Sequence, residues 1–130
     1  MTCFWDGIIK ALEHGDYIKI GCNGMLNKHQ LIDILKTRNV KIENVTWNGN
    51  RISDVEKGEH YEAIKNYDKG GINGGHLCSS CDSFLLLISE IFEVNIKHLY
   101  LNVEMEYLNT KKSNKTLKFA SNRGHFWGIK

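Results

Sequence analysis

Proline is absent from this chain, and arginine occurs three times in 130 residues. No proline-rich linker therefore divides the sequence, and it holds no internal repeat and no low-complexity block. Neither sign of charge dominates: 17 Lys and Arg stand against 15 Asp and Glu, a formal net charge of +2. That balance lacks the electrostatic footprint of a protein that binds nucleic acid or a membrane surface. No apolar run reaches the ~18 to 20 residues of a membrane span, since FLLLISEIF is broken by Glu90. The opening MTCFWDGIIKALEHGD has early acidic residues, no basic start and no cleavage pattern, and is not expected to act as a secretory signal. The four cysteines are accordingly expected as free thiols in a reducing, intracellular compartment, with no cofactor and no structural metal. Abundant Asn, Lys and Ile beside scarce Arg is the bias of an AT-rich genome, such as some viruses and protists have. It bears on origin and says nothing of fold.

What is present is the composition of an ordinary globular protein, 42% hydrophobic and 25% charged, at a length that suits a single domain over residues 1–130. Phe4, Ile8, Ile9 and Leu12 stand at helical spacing, which predicts a helix over 4–13 with Thr2 as its cap and Gly15 as its stop. Asn27 caps a second predicted helix running to Lys36, with Leu31, Ile34 and Leu35 on one face. Ser53 and Glu56 form a capping-box pattern for a third, reaching about Tyr67. Between these two, VKIENVTWNG reads as irregular and partly extended. KGGINGGH is a glycine-dense loop without the Gly-Lys-Ser/Thr ending of a phosphate cradle.

A fourth helix is predicted over 77–92, with Leu77, Cys81, Phe84, Leu85, Ile88, Ile91 and Phe92 as its inward stripe. Strands follow at VNIKHLYLN, VEMEYLN and TLKFA, and HFWGIK is a last extended piece. TKKSNK reads as a turn between two strands, with Lys111, Lys112 and Lys115 at a solvated hairpin tip. Helices first and strands last is the order of an α+β domain, here a helical part on a small antiparallel sheet.

Cys3 is the chain's best-placed nucleophile. A cysteine in the first helical turn feels the positive end of the helix dipole, which favours the thiolate. Its base must come from elsewhere in the chain. Among six histidines, His14, His29 and His60 fall among polar residues of predicted helices, and His98 sits mid-strand. His76 lies in the glycine-rich loop. His125 opens the terminal strand, follows Gly124 and precedes Phe126-Trp127, an aromatic pair suited to wall a substrate channel. Cys3 and His125 are the expected catalytic pair.

These segments resemble the ovarian-tumour (OTU) family of papain-related deubiquitinases over nearly the whole length. Cys3-Phe4-Trp5 heads an amphipathic helix, as the family's nucleophile does. Tyr61 to Tyr67, Gly74-Gly75 and the helix from Leu77 to Phe92 are similar to its helical middle, and Val94-Asn95-Ile96 to the strand that follows. Leu117 to Phe119 and His125-Phe126 match the hairpin that delivers its histidine and aromatic.

The resemblance implies hydrolysis of a peptide or isopeptide bond after the tail of ubiquitin or a ubiquitin-like protein, through a thioester. Gly75, His76, Phe126 and Trp127 would line the substrate. Two departures stand out. The family's Asp-Gly lead before the cysteine is missing, and Trp127 occupies the place, two after the histidine, where a polar residue usually orients the ring. Asn122 is the amide nearest in sequence to take over that role.

Two other readings remain open. The same fold with an incomplete site would bind ubiquitin or another protein without cleaving it. Cys78-Ser79-Ser80-Cys81 is a C-x-x-C pair at a helix start, the arrangement of a thiol–disulfide oxidoreductase, or half of a zinc site with His76 and Cys22. Against both of those chemistries, Cys81 falls on an apolar stripe with Leu77 and Leu85, where buried structural cysteines are expected.

Overall fold

The computed structural model describes residues 3–67, 81–111, 113–122 and 125–129, apart from the side chains of Cys3 and Cys81. Thr2 and residues 77–80, the first four of the predicted fourth helix, lie outside the described residues. Among the described residues, five helices and six strands follow one another as α1 (Cys3–Ala11), α2 (His14–Lys19), α3 (Lys28–Thr37), β1 (Val45–Trp47), β2 (Asn50–Arg51), α4 (Asp54–Lys65), α5 (Cys81–Phe92), β3 (Asn95–Tyr100), β4 (Val103–Asn109), β5 (Thr116–Ser121) and β6 (Phe126–Ile129). The chain is α+β, with one six-stranded sheet in the order β2-β1-β4-β3-β5-β6.

The caps explain why the helices begin where they do. Asn27 Oδ1 accepts the Gln30 N–H at 2.9 Å, and Gln30 Oε1 accepts the Asn27 N–H at 3.0 Å. Ser53 and Glu56 make the same reciprocal pair ahead of α4. Each satisfies donors that a helix start leaves unpaired. The first helix departs from expectation: α1 ends at Ala11, and Gly15 lies inside α2 instead of stopping α1. The cause is Asp16, whose carboxylate accepts the Glu13 N–H at 2.8 Å and starts a new helix there.

The expected antiparallel sheet is a mixed one. β3 pairs with β4 antiparallel but with β5 parallel, in the register Ile96–Leu117 and His98–Phe119. After β4 the chain does not turn back on itself; it crosses the foot of β3. Asn95 organises the crossing. Its N–H donates to the Lys115 carbonyl (2.8 Å), its amide nitrogen donates to the Ser113 carbonyl (3.1 Å), and its side-chain oxygen accepts the Asn109 N–H (2.9 Å). Lys111 and Lys115 are therefore not a free hairpin tip, and Lys112 lies outside the described residues. Lys111 pairs with Glu93 at 3.1 Å, and Lys115 reaches both Glu13 and Asp16 at 2.6 Å.

Helix α5 is buried nearly all round, not along a single stripe. Phe84, Leu85, Leu86, Leu87, Ile88 and Phe92 are all in the core, and so are Ser83 and Ser89. It packs against β1, β3 and β4 on one side and against α2 and α4 on others. Such a helix must satisfy its polar groups locally. Ser89 donates to the Val94 carbonyl at 2.6 Å, and Glu90 accepts both the Glu43 and Asn44 N–H groups, tying α5 to the entry of β1.

Tyr17 is a case where that accounting fails. Its ring is fully buried, and its hydroxyl has no hydrogen-bond partner among the described residues. Burial first, then the charges of Asp16 and Cys22, push its phenol up to about 12. Because the folded value lies above the unfolded one of about 10, this group's share of stability is intact below pH ~10 and is lost as pH rises towards about 12. Tyr17→Phe removes a hydroxyl that makes no bond, so stability at neutral pH should fall by less than about 1 kcal/mol or rise. In urea melts the variant should also keep its midpoint at alkaline pH where the parent loses its own. A loss of ~2 kcal/mol or more at neutral pH would mean that the hydroxyl is bonded after all.

Candidate active site

The site is built from the head of α1 and the start of β6. Phe4, Trp5 and Ile8 anchor α1 in the core, and Trp5 Nε1 donates to the Tyr67 hydroxyl at 3.1 Å. The Phe4 and Phe126 rings meet at a centroid distance of 4.8 Å. One turn on, Gly7 lies so close to β6 that an added Cβ would stand 3.0 Å from two carbons of the Phe126 ring and 3.8 Å from the Gly128 nitrogen. Helix and strand therefore run in the same sense with their starts at one end. Cys3 and His125 each sit one residue before the Phe4–Phe126 contact.

Alternation along β6 sends Phe126 inward and His125 and Trp127 outward. Phe126 was grouped with Trp127 as a channel wall, but it is 1% exposed. Its ring is committed to Phe4, Phe119 and His98, so it serves the core, and the exposed side chains on either side of it are those of His125 and Trp127. Trp127 is 39% exposed. The His125 imidazole is solvent-facing and stacks on the Trp127 ring, centroids 5.5 Å apart and planes 19° from parallel. Asn122 lies on the turn that returns β5 to β6, where its backbone N–H donates to the His125 carbonyl at 2.9 Å.

Beside the site runs an open groove of about 1160 Å³ between α1 and the edge strand β6. Gly7 and Lys10 line it from the helix, Lys118 from β5, and His125, Trp127 and Ile129 from the end of the sheet. Glu13 and Lys115 bound it towards the C-terminal end of α1.

The remaining histidines divide differently than expected. His14 and His29 are exposed, but His60 is half-buried with Nδ1 2.8 Å from Ser83 Oγ. His98 is buried on the inner face of β3, with Nε2 2.6 Å from Ser121 Oγ and its ring 5.4 Å from Phe126. It braces the strand that carries the site. His98 stands two residues after the buried Ile96 and so shares its face of the strand, which was the available signal.

Gly75, His76 and Cys78 lie outside the described residues, as does the side chain of Cys81, so the redox and zinc arrangements are not represented. Cys22, the other ligand of the zinc arrangement, is a half-buried free thiol packed against the core. Among the described residues no three His, Cys, Asp or Glu side chains cluster as a metal site, and no helix is long and apolar enough to cross a membrane.

No family model, no curated protein and no solved structure matches the chain.

Proposed function

We propose that this protein is a cysteine-dependent acyl hydrolase with an OTU-like, papain-type arrangement, Cys3 serving as nucleophile and His125 as base. The observation that carries the reading is the Phe4–Phe126 contact at 4.8 Å. It brings together two elements from opposite ends of the chain, each preceded by the residue type the chemistry needs. Cys3 opens α1, where the helix dipole favours a thiolate.

In the proposed reaction His125 takes the thiol proton and the sulfur attacks the carbonyl carbon of the scissile bond. N–H groups at the head of α1 receive the developing oxyanion. Breakdown expels the amine, which takes the proton from the imidazolium and leaves a thioester. Water, deprotonated by His125, then hydrolyses the thioester and restores the thiol. The groove beside β6 suits an extended chain. Gly128, exposed on its β6 wall, adds no side chain to narrow it. Both features agree with the tail of ubiquitin or a ubiquitin-like protein, the substrate class that the resemblance implies. A reducing, intracellular setting would keep the proposed thiol free.

A second reading is favoured by one observation, the outward-facing His125–Trp127 stack, which also suits a recognition platform. On this reading the domain binds ubiquitin or another protein and does not cleave it. A ubiquitin C-terminal fluorogenic amide separates the two. Turnover supports hydrolysis; saturable ubiquitin binding without turnover supports the binding module; neither result leaves a function for the site as drawn.

A further inference from the structure

The base of a thiol hydrolase needs a fixed ring orientation, and a side-chain oxygen usually supplies it. The residue two places after His125 is Trp127, whose indole offers an N–H and no acceptor. Yet the two rings are not independent. They are 5.5 Å apart at 19°, within the range of offset aromatic stacking. His125 directly precedes β6, two places before Trp127, and both are exposed, whereas the Phe126 between them is buried and holds the strand on its other face.

We infer that Trp127 is the positioning residue for His125 and that it acts by stacking, where a carboxylate or amide would act by hydrogen bonding. This rests on the hydrolase reading above. A flat neighbour removes the rotation about χ2 that would swing the imidazole nitrogens out of line with the sulfur. It leaves both nitrogens open to the nucleophile and to solvent. The negative face of the indole also suits the positive charge that the imidazole carries once it has taken the proton. Hydrogen-bonding capacity at position 127 is then irrelevant, and planarity is what matters.

The experiment compares the parent with Trp127→Leu, Trp127→Phe, His125→Ala and the His125→Ala/Trp127→Leu double variant. Position 127 is exposed enough that these chains should fold. Cys3 alkylation by iodoacetamide, followed by peptide mass mapping at mildly acidic pH, reports the imidazole's help to the thiol. The NMR shifts of the His125 ring protons report the stack itself.

Trp127→Leu should slow alkylation by about 5-fold or more, towards the His125→Ala rate, because small misplacements of a reacting group are costly. Trp127→Phe should stay within about 2-fold of the parent, and the double variant should be no slower than His125→Ala, as expected of residues acting through one another. The ring-current shift should vanish with Leu and persist with Phe. Normal alkylation in Trp127→Leu beside slow alkylation in His125→Ala overturns this inference alone. Normal alkylation in His125→Ala overturns the hydrolase reading and this inference with it. A Phe variant as slow as Leu shows that planarity is not the cause and also overturns it.

Discussion

His125→Ala should lower turnover of the ubiquitin amide by roughly 10²–10⁴, the usual contribution of a positioned general base, while leaving the fold unchanged. The histidine is solvent-facing and its ring contact is with Trp127, so its removal opens no cavity. Cys3→Ala should abolish turnover altogether, since no other group at the site can form the thioester. Circular dichroism and a urea melt alongside the kinetics make the comparison clean. A His125→Ala protein that retains more than about a tenth of parental turnover would show that the base lies elsewhere.

Phe126→Ala should fail in the other direction, losing the fold before the chemistry. Its ring is 1% exposed and meets Phe4 at 4.8 Å, Phe119 at 5.0 Å and His98 at 5.4 Å. Removing a fully buried phenylalanine costs about 3–5 kcal/mol, through lost transfer energy and the cavity left behind. The cavity would open between α1 and β6, so the spacing of Cys3 and His125 should loosen as well. Gly7→Ala attacks the same contact by crowding it: a Cβ 3.0 Å from the Phe126 ring forces helix or ring to shift, at a cost of about 1–3 kcal/mol. Urea midpoints read both variants. A Phe126→Ala loss under ~1 kcal/mol would mean that the two elements are not held together by this ring.

Local chemistry was legible in the sequence, and long-range pairing was not. Asn27 and the Ser53–Glu56 pair announced α3 and α4 because a cap and its partner lie within one helical turn. Strand positions were readable from alternation, and the same alternation in His125-Phe126-Trp127 was enough to place Phe126 inward, although its aromatic character drew it towards the substrate. The direction of pairing was not readable, since period-two alternation is the same in parallel and antiparallel neighbours. The crossing under β3 depends on Asn95 reaching Ser113 and Asn109, contacts that no local pattern encodes. Lys111 and Lys115 looked like a solvated tip for the same reason, their acidic partners being distant in sequence.

The candidate site divides along the same line. Cys3 as the head of a helix is a local property and could be read directly. The approach of α1 to β6 joins residues over a hundred positions apart, and it was expected from the pairing of Cys3 with His125 and from the family resemblance, not from any local pattern. The stack of His125 on Trp127 was missed because the position was judged by its hydrogen-bonding capacity, where the geometry uses its flat face.

The central claim is that Cys3 is a nucleophile aligned with the tail of a ubiquitin-like protein. Ubiquitin carrying a thiol-reactive group at its C-terminus tests it in one measurement, by intact mass followed by peptide mapping. A single ubiquitin adduct on Cys3 is expected, formed quickly by the parent and much more slowly by His125→Ala. No adduct, or an adduct on Cys22, Cys78 or Cys81 with Cys3 left free, would contradict it.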